Sequence, residues 1–115
     1  MDFIKQDDIF AANMTHLQGY VFATYDEIKA ILGEPNDGPD SDIDGKVTCE
    51  WIIEFEDGTV ATIYDWKTYS GTPRRCYEWH VGGASQKAVR LVEEMLAGDH
   101  YLVDEFEETF DLHSD

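Results

Sequence analysis

Asp40-Ser41-Asp42-Ile43-Asp44-Gly45 is the run in this chain best suited to chemistry, because carboxylates at alternate positions followed by glycine form the first half of a calcium loop. The closing half is missing. The twelfth position falls on Trp51, Glu50 stands one place early, and Gly38-Pro39 removes the entering helix. A hard cation needs about six or more oxygens, and here only three carboxylates are in register. Asp40, Asp42 and Asp44 therefore read as a solvated acidic loop, with calcium the secondary reading and no other metal or cofactor expected.

Enzyme chemistry finds little else to use. His16, His80, His100 and His113 have no metal spacing, and the chain carries no phosphate loop, zinc motif or nucleophile elbow. His80, between Trp79 and Val81, reads as a packed or surface histidine rather than a general base. A short hairpin loop would set Glu50 opposite Asp65 as an acid pair, although strand carboxylates are ordinarily solvated. No catalytic set can be assembled, so the chain is expected not to be an enzyme. An alternative ligand site can be drawn from Trp66, Tyr69, Arg74, Arg75, Tyr77 and Trp79, with rings stacking on a nucleotide base and the arginines meeting its phosphates. Against it, aromatic residues at alternating strand positions are ordinarily core.

Charge is the strongest signal. The chain holds 25 Asp and Glu against 8 Lys and Arg in 115 residues, a formal net charge of −17. No base lies between Lys29 and Lys46, where Glu34, Asp37, Asp40, Asp42 and Asp44 fall, and none from Asp99 to the end, where seven acids fall. Such a surface repels nucleic acid and membranes and attracts basic clefts, cations or basic proteins. The chain should still fold, because 43% hydrophobic and 13% aromatic content exceeds that of a disordered acidic chain. Neither a signal peptide nor a membrane span is read, and Cys49 and Cys76 read as half-buried thiols, which together point to the cytoplasm.

The positioning elements follow from periodicity. Residues 1 to 16 suggest a short helix or ordered arm, and Gly19 to Ala23 a short strand. Thr24-Tyr25-Asp26-Glu27 fits a capping box that opens a helix with Tyr25, Ile28, Ile31 and Leu32 on its apolar face, stopped by Gly33 and Pro35. Lys46 to Phe55 alternates as a strand, Asp57-Gly58 marks a hairpin, and Val60 to Trp66 returns. A two-residue loop would face Phe55 with Val60, Ile53 with Thr62, Trp51 with Tyr64 and Cys49 with Trp66, while a three-residue loop with a bulge would shift that register. Arg74 to Val81 is a third strand that Gly82-Gly83 breaks, Ser85 caps a helix from Gln86 to Ala97, and His100 to His113 predicts an acidic amphipathic helix around Leu102, Phe106 and Phe110. The expected fold is α+β: a three- or four-stranded antiparallel meander with two helices on one face and an acidic C-terminal helix, divided as a domain at 1 to 98 and a tail at 99 to 115.

Leu32-Gly33-Glu34-Pro35, Gly45-Lys46-Val47, Trp51, the run Asp57 to Lys67 and Trp79-His80-Val81-Gly82-Gly83 resemble a family of small tailed-bacteriophage accessory proteins, over about residues 20 to 97. The resemblance implies a bacterial host cytoplasm and transfers no site. With the charge, it suggests a non-enzymatic counter-defence protein whose carboxylates stand in for DNA phosphates, as in some anti-restriction and anti-CRISPR proteins. Asp40, Asp42, Asp44, Asp104, Glu105, Glu107, Glu108 and Asp111 are the expected contacts with a basic host protein. The rival expectations are a nucleotide-sequestering module and a calcium-stabilised structural protein. The chain is expected to be a monomer or a homodimer.

Overall fold

The computed structural model describes residues 1–6, 15–36, 49–65 and 77–106. In chain order the elements are β1 (Asp2–Lys5), β2 (His16–Phe22), α1 (Tyr25–Leu32), β3 (Glu50–Phe55), β4 (Val60–Tyr64), β5 (Glu78–Gly83), α2 (Lys87–Leu96) and β6 (Tyr101–Leu102). They form an α+β fold with a six-stranded mixed sheet in the order β2-β5-β4-β3-β1-β6. The expected antiparallel meander is present as its centre, β3-β4-β5, but the sheet is wider and not purely antiparallel. β2 joins β5 and β1 joins β3, both antiparallel, while β6 runs parallel to β1.

Asp2–Lys5 thus forms a strand rather than a short helix, and residues 7–14 of the expected helix or ordered arm lie outside the described residues. Phe3 is fully buried against Phe55, with ring centroids 5.5 Å apart, and burial of a side chain of that size stabilises by about 1.5–3 kcal/mol. That contact, together with the β3 ladder, places β1 in the sheet.

Helix α1 starts as its sequence dictates. The Thr24 hydroxyl accepts from the Glu27 amide at 3.0 Å, and the Glu27 carboxylate accepts from the Thr24 amide at 2.8 Å, the reciprocal capping box. It ends at Gly33, whose φ of 79° suits a residue without Cβ. Two tryptophans hold the segment at both ends, Trp79 donating its indole N–H to Ala23 O and Trp51 donating to Gly33 O, each at 2.9 Å. Tyr25 packs against both rings, which fixes α1 over the face that carries Trp51 and Trp79.

The hairpin takes the three-residue loop. Phe55 N–H donates to Thr59 O, and the ladder pairs Trp51 with Ile63 and Ile53 with Ala61. A one-residue shift exchanges the two faces of a strand. Ala61, Ile63 and Asp65 therefore face the core with Cys49, Trp51 and Ile53, and Thr62 and Tyr64 turn to the other face.

Gly82-Gly83 does not break β5. Both residues stay in the ladder, because β4 and α2 approach too closely for larger ones: a Cβ on Gly82 would lie 2.5 Å from Thr62 Oγ1, and one on Gly83 would collide with Ala88 Cβ. Helix α2 begins at Lys87 after Gln86, and the Ser85 hydroxyl accepts from the Lys87 amide at 3.3 Å without standing at the cap position. Ala88, Leu91, Val92 and Met95 are its buried face.

The described part of the tail is not helical. Tyr101 N–H donates to Met1 O and Val103 N–H to Phe3 O, so the segment after Gly98 extends the sheet. A partner strand nearly the whole chain away outweighs the local helical spacing of Leu102 and Phe106. The remainder of the expected tail helix lies outside the described residues.

Candidate functional site

The helices cover one face of the sheet, and the opposite face presents a cross-strand row. Glu50 on β3 stands opposite Tyr64 on β4, Tyr64 opposite His80 on β5, and His80 opposite Tyr20 on β2. With strands spaced by about 4.8 Å, four side chains of four strands line up across the sheet. The His80 ring is T-shaped to Tyr20, with centroids 4.9 Å apart, and to Tyr64, with centroids 5.2 Å apart. Beside the row, Phe22 and Tyr77 pair at 6.1 Å, and both are more than half exposed.

Electrostatics make this row a neutral aromatic strip with an acidic end. Burial pulls the His80 imidazole below its ordinary value, opposed by Glu78 and Asp65. Burial and the nearby Glu50 charge push the Tyr64 phenol up. At neutral pH the His80 imidazole and the Tyr64 phenol are thus uncharged, offering ring faces and edges to a ligand rather than an activated nucleophile.

The expected Glu50–Asp65 acid pair is not brought together. The three-residue loop puts Glu50 on the open face and Asp65 in the core, where its carboxylate accepts from the Cys49 amide at 2.9 Å. Cys49 itself is fully buried, not half-buried, and Cys76 lies outside the described residues.

Of the alternative ligand set, Tyr77 is exposed at the start of β5, whereas Trp79 is completely buried and bonded to Ala23. Trp79 is a core residue, because the strand alternation that carries Tyr64 and His80 outward carries Trp79 inward. Trp66, Tyr69, Arg74 and Arg75 lie outside the described residues. So do Asp40, Asp42, Asp44, Glu107, Glu108 and Asp111. Asp104 and Glu105 lie in the bend that follows β6, both exposed side chains. Among the described residues no group of three or more His, Cys, Asp or Glu is placed to hold a metal ion.

His100, scattered by sequence, is a clasp. Its Nε2 meets Glu94 at 2.9 Å, its Nδ1 meets the Met1 amine at 2.8 Å, and its ring lies against Phe55. Tyr20 and Phe22 are the surface residues that sequence reasoning missed. Their strand is legible from its short apolar run Tyr20-Val21-Phe22-Ala23, but its place in the sheet is not.

The described cations are all engaged by the chain itself. Lys29 pairs with Glu34 at 3.1 Å, Lys87 with Asp57, and Arg90 lies 3.9 Å from Glu94, while Lys5 donates to the Glu34 carbonyl.

No protein-family model matches the chain, and no curated protein or solved structure matches it. No helix among the described residues is long and apolar enough to cross a membrane.

Proposed function

We propose that this protein is a non-enzymatic binding protein that docks its acidic surface on the positively charged, nucleic-acid-binding surface of a host defence protein, in the manner of a phage counter-defence factor. The observation that carries this reading is the pairing of charges. With a net charge of −17, Lys5, Lys29, Lys87 and Arg90 are each turned onto an acid or carbonyl of the same chain. Among the described residues Asp26, Glu27, Glu34, Asp104 and Glu105 are exposed acids on or beside the sheet and helices, and affinity for a groove built to hold phosphates is dominated by charge.

The contacts proposed are Asp104 and Glu105 beyond β6, with Asp40, Asp42, Asp44, Glu107, Glu108 and Asp111 supplying the remaining carboxylates. The test is capture on the immobilised full-length chain from bacterial lysate, followed by challenge with duplex DNA and with salt raised from about 50 to about 500 mM. The expected result is a basic protein that duplex DNA displaces and that salt releases. Replacing the acids with their amides should weaken capture and flatten its salt dependence. A captured protein indifferent to DNA, salt and amide substitution would refute the reading, and a small nucleotide recovered in its place would favour sequestration instead.

A further inference from the structure

Among the described residues, strand β2 is an edge of the sheet, with β5 as its sole ladder partner. The hydrogen-bond phase can be read directly. Ala23 N–H donates to Tyr77 O at 2.9 Å, so along the antiparallel pair Val21 and Gly19 also direct their backbone groups at β5, and Tyr20 and Phe22 direct theirs outward. An edge of this kind is normally blunted by charge, proline or a bulge. His16-Leu17-Gln18-Gly19-Tyr20-Val21-Phe22 carries no Lys, Arg, Asp, Glu or Pro, in a chain where 29% of residues are charged. Its one guard is a register shift between Leu17 and Gly19, which leaves Gly19 to Phe22 regular.

The side chains beside that open ladder are apolar and wet. Tyr20 is 45% exposed, Phe22 61% and Tyr77 57%. Glu78 stands directly across from Phe22. Exposed rings beside a carboxylate suit the stem and head of a lysine or arginine, through apolar contact, cation–π attraction and charge.

We propose that the β2 edge receives an extended, lysine- or arginine-bearing segment of a partner protein as a seventh strand. Main-chain hydrogen bonds to Tyr20 and Phe22 would supply affinity, and alternate side chains of the incoming strand would lie over Tyr20, Phe22 and Tyr77. A second copy of this chain is the poorer occupant, since two molecules of net charge −17 repel. The sign of the occupant's charge rests on the acidic-surface reading above; the pairing along β2 does not.

The test titrates the isotope-labelled full-length chain with three seven-residue peptides: one alternating Lys and Val, one of the same charge with Pro replacing Val, and one with Ser replacing Lys. Amide hydrogen exchange is followed by NMR. The Lys/Val peptide is expected to slow exchange at Tyr20 and Phe22 at least tenfold, with the other two giving little protection. Phe22→Pro removes an outward amide and should weaken binding of the Lys/Val peptide at least tenfold while protection across β4 and β5 is kept. Should that variant fail to fold, Phe22→Lys keeps the amide, adds a repelling cation and should weaken binding comparably.

Binding of both basic peptides without protection at Tyr20 and Phe22 would overturn the strand pairing and leave the acidic-surface reading standing. Equal edge protection by the Ser/Val peptide would overturn the cationic occupant and count against that reading as well. Edge protection that grows with protein concentration and needs no peptide would assign the edge to a second copy. Absence of binding by the Lys/Val peptide at millimolar concentration would overturn the proposal outright.

Discussion

The Cys49 amide donates to the Asp65 carboxylate at 2.9 Å, while the Asp65 amide donates to the Cys49 carbonyl at 3.3 Å. This reciprocal pair closes the β3–β4 ladder with a carboxylate that is 1% exposed. It exists because the hairpin loop holds three residues, which turns Asp65 toward the helices and away from Glu50.

Removing the acceptor leaves a buried amide without it. Asp65→Ala is expected to destabilise the protein by about 1–3 kcal/mol, and Asp65→Asn, which retains an oxygen at the same reach, by less. Urea unfolding followed by tryptophan fluorescence measures both. An alanine variant as stable as the parent would show that the pair contributes nothing.

His80 should make the protein acid-sensitive above the carboxylate range. Its imidazole is held below its ordinary value on folding, chiefly by burial, whereas in the unfolded chain it titrates near 6.5. The unfolded chain therefore takes up the proton more readily, and stability falls as pH drops through 6.5 toward the lower folded value. His80→Gln should lose less stability than the parent between about pH 7.5 and about pH 5. Urea midpoints at the two pH values decide it, and parallel losses in both proteins would remove His80 as the cause.

Asp57 has the opposite sign and a more acidic window. The hydrogen bond from Lys87 holds its carboxyl at about 2, against 3.8 for an unperturbed group. Its contribution is complete above about pH 4 and disappears as pH falls from 3.8 through about 2. Both side chains remain partly exposed, so the pair is worth about 0.2–1 kcal/mol. Lys87→Met should lower stability by that amount at neutral pH, and the gap from the parent should close on acidification to about pH 2. A gap that persists there would belong to packing of the lysine stem.

The functional readings depend on the same division of faces. Tyr64 and His80 join Tyr20 on the open side because β4 pairs one residue out of the tight-turn register, and Trp79 leaves the ligand set because its neighbours on β5 alternate with it. Trp79, drawn into the alternative ligand set by sequence, is core like Trp51, each with its indole N–H used to anchor α1.

The local elements legible in the residues alone are those whose causes lie within a few positions. Thr24 and Glu27 specify the start of α1 by capping each other, Gly33 ends it, the alternation from Trp51 to Phe55 makes a strand, and Asp57-Gly58 makes a turn. Net charge and its gaps in basic residues are likewise properties of composition. Tertiary structure alone decided what depends on distant partners. The strand at Asp2–Lys5 exists because Phe3 meets Phe55, the strand at Tyr101–Leu102 because it meets β1, and the hairpin register because core packing selects one face of β4. Short segments carry too few residues for periodicity to identify them, and hydrogen bonds across nearly the whole chain leave no trace in local spacing. The place of β2 at the edge of the described sheet belongs to the same category, since strand order depends on which distant segments pair.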